Sequence, residues 1–161
     1  MRWAEFSREC PELAEIARER IADAHILLLG TLRADGSPRI SAVECDLVGD
    51  DLCSGMIWQS TKALDLVRDP RMTVHSLPAG LSNPDGDMKL FGMAVPVEGE
   101  QKRAYDRTLH ARIKWSPTEP YHCFAYDIAS AGFVKFRGSG RDSWHWRAGS
   151  VLRKDFRPDV V

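Results

Sequence analysis

The sequence has no CxxC pair, no two histidines at ligand spacing on a shared helix or strand, and no glycine-rich dinucleotide fingerprint behind a strand. The first two absences argue against a zinc or other metal site, and the third against a Rossmann-type dinucleotide site. Its four cysteines, Cys10, Cys45, Cys53 and Cys123, are irregularly spaced, so they read as packed thiols and not as a disulfide framework. The longest apolar run, Ile26 to Leu29, is far too short to span a bilayer. Met1 to Ser7 lacks the apolar core of a signal peptide. A cytoplasmic location is therefore expected. The formal net charge is −1, which gives no electrostatic grip on nucleic acid or anionic lipid. No Ser-His-Asp or Cys-His arrangement can be read from the chain.

What is present suits a packed domain. The 161 residues are 43% hydrophobic and 28% charged, enough for one real core. With no repeat, low-complexity stretch or linker, a single domain over residues 1–161 is expected.

Periodicity predicts a helix over Pro11–Ala24, with Leu13, Ile16, Ala17 and Ile21 on one face and Pro11 at the first helical position. It would lie as a lid on a sheet. Strands are predicted over residues 26–33, 39–48, 52–58, 71–77, 88–98, 122–128 and 132–137, with an Asp35-Gly36 hairpin turn between the first two. Gly92 marks a bulge inside its strand. Further helices are predicted over residues 62–68, ended by Asp69-Pro70, and over residues 101–113. Pro78 to Asp87 reads as a loop. About seven sequential strands with inserted helices favour a barrel, which removes exposed edges.

The most informative residues are Ser60, Thr61 and Lys62, where a strand runs into a short helix. Backbone N–H groups at the helix start, the helix dipole and a lysine together form a phosphate cradle. Arg39, about twenty residues upstream on a strand expected to neighbour this one, would converge on it. That combination suits a phosphorylated cofactor, although Ser and Thr are also ordinary N-caps and Lys62 an ordinary surface charge.

The order of these segments resembles a known family. LRADGSPR (Leu32 to Arg39), RISAV (Arg39 to Val43), STKALDLVRDPRMTV (Ser60 to Val74) and GDMKLFGMAVPVEG (Gly86 to Gly99) follow one another as in the pyridoxamine 5′-phosphate oxidase-like proteins, across residues 11 to 137. The resemblance implies a mainly β fold with inserted helices, a six- to seven-stranded antiparallel split β-barrel. It also implies a homodimer with FMN at the subunit interface and hydride transfer to or from a small or planar substrate. By the same resemblance Arg39 reaches the cofactor phosphate, Ile40 and Ser41 run under the flavin, and Ser54 to Met56 continue that floor. Ser60, Thr61 and Lys62 would hold the phosphate. No protein nucleophile is then required, because a flavin carries the redox chemistry itself.

Thr61 stands where the family often has a second basic residue. A deazaflavin of the F-420 type is therefore an alternative cofactor, and a non-catalytic flavin- or haem-binding module an alternative role. Lys89 is a further cofactor-binding candidate, reaching a flavin from a dimer cleft or else solvated beside Asp87. The C-terminal part matches nothing in the authentic oxidase, which puts oxidation of pyridoxine or pyridoxamine phosphate in question. His75 either faces the cofactor or is a satisfied structural histidine. Trp144 and Trp146, on one face of any strand they share, either pack the barrel mouth or dimer interface or cover the partner's flavin.

Overall fold

The computed structural model describes residues 1–78 and 85–159; most of the loop expected over Pro78 to Asp87 lies outside them. The order of elements is α1 (Trp3–Glu9), α2 (Pro11–Ala24), β1 (Ile26–Leu32), β2 (Pro38–Glu44), β3 (Asp46–Val48), β4 (Asp51–Ile57), α3 (Thr61–Arg68), β5 (Arg71–Ser76), β6 (Asp87–Pro96), α4 (Gly99–Ile113), β7 (Tyr121–Arg137), β8 (Gly140–Arg147) and β9 (Arg153–Pro158).

All described strand pairs are antiparallel, and the sheet runs β2-β1-β5-β6-β7-β4-β3, with β8 on β7 and β9 on β8. The sheet curls so that β2 lies beside β4, yet the two make no ladder. The barrel is thus open along this seam. Arg39 therefore reaches the neighbourhood of β4 across the split and not along a hydrogen-bonded pair.

The expected Asp35-Gly36 turn is present. Asp35 Oδ1 accepts the Ser37 backbone N–H at 2.9 Å and its hydroxyl at 2.6 Å, while Gly36 takes φ +82°, where a side chain would be strained. Two strands differ from the sequence reading. The second breaks at Cys45, whose N–H leaves the ladder for the His25 carbonyl at 2.9 Å, so that β3 begins separately. The expected strands over residues 122–128 and 132–137 are one, β7, of 17 residues. The bulge sits opposite Gly92: Phe91 pairs Ser130 and Gly92 pairs Ile128, which leaves Ala129 as the extra residue.

Two apolar cores flank the sheet. Inside the barrel, Leu27, Leu29, Val74, Leu90 and Phe124 pack beneath α2, which buries Leu13, Ala17 and Ile21 as the expected lid. Outside, Tyr105 and Leu109 of α4 pack on Cys53, Tyr121 and Cys123. All four cysteines are buried and free. The α1 helix was not legible as a pattern, yet Phe6 is fully buried against Trp146, ring centroids 5.1 Å apart. Trp144 packs on Phe133 at 5.1 Å and donates its indole N–H to Glu12 at 2.9 Å. Both C-terminal tryptophans therefore serve packing, fastening the helical lid to β7 and β8. Among the described residues no helix is long and apolar enough to cross a membrane.

Gly92 has no room for a side chain: a Cβ there would lie 1.8 Å from the Asp127 carbonyl oxygen. Gly92→Ala is expected to lower unfolding stability by roughly 1–3 kcal/mol through forced backbone movement. Urea unfolding followed by tryptophan emission checks this.

Candidate functional site

The α3 helix starts at the end of β4. Trp58 and Gln59 turn the chain, Gln59 in the left-handed region at φ +58°, and Ser60 is the N-cap with extended geometry. The apolar spacing of Ala63 and Leu66 buries one face, and Asp69-Pro70 ends the helix. The first intrahelical bond runs from Leu64 N–H to Ser60 C=O at 3.0 Å, so the N–H groups of the first turn have no partner within the helix. The Ser60 side chain does not cap them. Its Oγ is buried and has no hydrogen-bond partner among the described residues. Lys62 is half-buried at this turn and makes no ion pair among the described residues. A cluster of donors with an orphaned hydroxyl and an unmatched ammonium is chemically suited to an anion.

Arg39 is held beside this turn by Asp65, a residue the sequence reading passed over. Asp65 is 4% exposed. Its Oδ2 accepts from Arg39 Nε at 2.7 Å and from Thr31 Oγ at 3.0 Å, and its Oδ1 from Arg68 Nη2 at 3.0 Å. Burial pushes this carboxyl up, but hydrogen bonds from Arg39, Arg68 and Thr31 together outweigh it and hold the carboxyl below its ordinary 3.8. One carboxylate thus fixes β1, β2 and α3 together and aims the Arg39 fork. Arg39, Thr61 and Asp65 line one cleft of about 390 Å³, with Arg33 and Arg68. Three arginines against two carboxylates, Asp35 and Asp65, leave it one positive charge in excess.

The remaining candidates divide between the two sheet faces. Register pairs Arg39 with Thr31 and Ser41 with Leu29, so both lie on the inner face. Ile40 lies on the outer face and is 73% exposed. Ser54 and Met56 turn into the barrel: Ser54 Oγ is buried against the Tyr126 hydroxyl at 2.6 Å, and Met56 belongs to the inner core. Their side chains are thus buried, so the floor expected over Ser54 to Met56 would be made by backbone, with Gly55 and Ile57 turned outward by strand alternation. Lys89 is on the outer face of β6, paired with His75 and Gly132, three strands from β2 along the sheet. That is about 14 Å at the usual strand spacing, so Lys89 does not join Arg39 within one chain; the Arg39 cleft takes in Thr61, while Ser60 and Lys62 do not line it. His75 Nδ1 lies 2.6 Å from the Ser76 carbonyl, a structural contact.

Sequence reasoning also missed the stack of Trp58, two residues before Ser60 in the chain, on His122 (4.4 Å, 13° between planes). Burial, and then the nearby Lys102, hold the His122 imidazole below its ordinary pKa. The signal for Asp65 was present: it lies four residues after Thr61 and three before Arg68, on the same helix face.

Because the Asp65 carboxyl titrates lower in the folded chain than in the unfolded one, its contribution is complete above about pH 4 and is lost as pH falls through its lowered native value. Asp65→Asn is expected to cost roughly 1–3 kcal/mol at pH 7. It should also flatten the acid limb of the stability profile, measured by urea unfolding between pH 7 and 2.

No family model and no curated protein sequence matches the chain. Solved structures do. A haem-binding protein from Mycobacterium smegmatis aligns with TM-score 0.65 at 24% identity over 83% of this chain, and the chain spans 57% of that protein's length. PhzG from Burkholderia lata, in complex with tetrahydrophenazine-1-carboxylic acid, aligns with TM-score 0.62 at 12% identity, covering 91% of this chain and 88% of that one. A Clostridium acetobutylicum protein related to general stress protein 26 of B. subtilis, of the pyridoxinephosphate oxidase family, aligns with TM-score 0.62 at 13% identity, covering 84% and 94%. The likeness lies in the backbone arrangement, and the chain has the split-barrel fold of the pyridoxamine 5′-phosphate oxidase-like proteins.

Proposed function

We propose that the chain is an FMN-binding oxidoreductase whose cofactor phosphate sits at the start of α3. The observation that carries this reading is the buried, unpartnered Ser60 Oγ at a helix start whose donors are free and whose Lys62 is unmatched. Ser60 and the first-turn N–H groups would bind phosphate oxygens, Lys62 would neutralise charge, and Arg39, oriented by Asp65, would close the far side. A bound flavin would supply hydride chemistry. The chain's own part is to bind the group, orient it and exclude water. The same cradle suits a deazaflavin of the F-420 type, with the Thr61 hydroxyl in place of a cation.

Homodimerisation belongs to this reading. The outer faces of β2 and β6 expose Ile40 at 73% and Phe91 at 42%, an apolar area that a second copy would cover. Lys89, on that outer face, would then meet the partner's cofactor.

A haem-binding role has one specific support. His145 faces outward from β8 into a groove of about 460 Å³ with Phe91, Arg147 and Arg153. Such a set offers an imidazole, an aromatic wall and two guanidinium groups for a tetrapyrrole's propionates.

Purified protein incubated with FMN and desalted is expected to keep about one flavin per subunit, read from its absorbance. Lys62→Ala and Ser60→Ala should each weaken FMN binding about tenfold or more. Failure to retain or bind FMN at micromolar concentration overturns the FMN reading, and parallel titrations with the deazaflavin and with haemin distinguish the alternatives. His145→Ala should abolish a Soret shift on haemin addition if haem is the ligand, and should leave FMN binding unchanged.

A further inference from the structure

A third cavity, of about 470 Å³, opens on the outer side of β4. Its size suits a small-molecule site. The floor is Gly55, where the absence of a side chain lets the Tyr105 ring lie directly on the strand: a Cβ there would be 2.8 Å from Tyr105 Cε1. Tyr105 and Leu109 of α4, both 1% exposed, form the back wall. Trp58 and Trp115, each about half exposed, stand at the mouth. Trp58 lies two residues before Ser60, so the slot opens beside the phosphate cradle.

The charges around this slot are unevenly placed. Glu44, on the outer face of β2 across the split, is the single carboxylate or cationic side chain lining it among the described residues. One of its oxygens accepts from Arg112 at 3.3 Å. Arg112 is also bound by buried Asp46, at 3.0 and 3.1 Å, so one guanidinium is shared by two carboxylates and the cluster keeps a net negative charge. The other nearby cation is also spent. Lys102 Nζ donates to the Tyr121 carbonyl at 2.9 Å and to Glu119 at 3.0 Å, and sits 4.0 Å from the Tyr121 ring centroid. The residues lining the slot therefore present aromatic faces and one carboxylate acceptor, with no cation among them to meet a phosphate or carboxylate.

We infer that this slot is the substrate site, and that it takes a planar heteroaromatic, neutral or cationic, which presents N–H donors to Glu44. The assignment as substrate site rests on the cofactor reading above. Aromatic walls favour flat rings by stacking, and the half-exposed Glu44 carboxylate at the edge of the slot favours a donor pair and repels an anion. The specificity-determining residue is Glu44.

The test uses two probes of equal shape: 2-aminoquinoline, which in protonated form offers two N–H donors on one edge, and quinoline-2-carboxylate, which carries an anion there. Each is titrated into the full chain, with and without FMN, and read by quenching of tryptophan emission. The expected result is binding of 2-aminoquinoline about tenfold or more tighter than quinoline-2-carboxylate, with Glu44→Gln erasing most of that preference. Thr118→Trp, at the rim, should block both probes while leaving the circular dichroism spectrum and FMN uptake unchanged. Equal affinity for the two probes, or a preference that survives Glu44→Gln, overturns the inference. Flavin absorbance in the same samples separates the two readings. Probe selectivity without FMN uptake supports the slot's chemistry and sinks the FMN reading. FMN uptake without probe selectivity sinks the slot alone.

Discussion

The architecture hangs on β7. One of its edges carries β6 from Phe124 to Val134, and the other is shared by β4 over Tyr121–Ala125 and by β8 over Ser130–Arg137. Between those two partners the ladder would be bare. Ile128 fills the gap by exchanging two backbone hydrogen bonds with Met1, at 2.7 and 3.1 Å, and Ala129 accepts from Ala148 at 3.0 Å. Because β7 is covered on both faces, by the barrel core and by α4, its residues from Cys123 to Tyr126 are all buried. The split in the barrel, the seating of α4 and the position of the outer slot all follow from where this strand changes partners.

How far the sequence could be read depended on whether each signal was local. Pro11 and the apolar spacing behind it give α2 with the observed bounds, and Asp35-Gly36 gives the hairpin, because both devices act within a few residues. The break of β2 at Cys45 was illegible, since it depends on a bond to His25, twenty residues away in the chain. The continuity of β7 through Ala129, Ser130 and Ala131 was hidden because small residues carry no strand signal, and the pairing that sustains them comes from β6 and β8. β8 and β9 were masked by charge: every β9 residue is exposed, and the strand exists through pairing to β8.

The candidate site shows the same division. Ser60, Thr61 and Lys62 lie at the start of α3 as their spacing implied, because a helix start is a local feature. Ser54 and Met56 were expected to continue a flavin floor through their backbone, and alternation from Gly55 sends their side chains into the core. Asp65 was invisible as a partner of Arg39, since a carboxylate on an amphipathic helix reads as a solvated charge until tertiary packing brings β1 and β2 against it. Lys89 depends on which sheet face it occupies, and that is settled by register with His75 and Gly132.

The fastening of α1 and α2 to the C-terminal strands has a consequence for biosynthesis. Met1 bonds Ile128 across 127 positions, Glu12 bonds Trp144 across 132 and Glu9 bonds Gly149 across 140. During translation the partners of Met1, Glu12 and Glu9 are made 127, 132 and 140 residues after them. At usual elongation rates that interval is roughly ten to thirty seconds. Over that interval the helix pair has the earlier strands of the barrel to pack on but lacks its C-terminal fastening. The helical lid is therefore fastened only once β8 and the turn after it have been made and have reached Glu12 and Glu9.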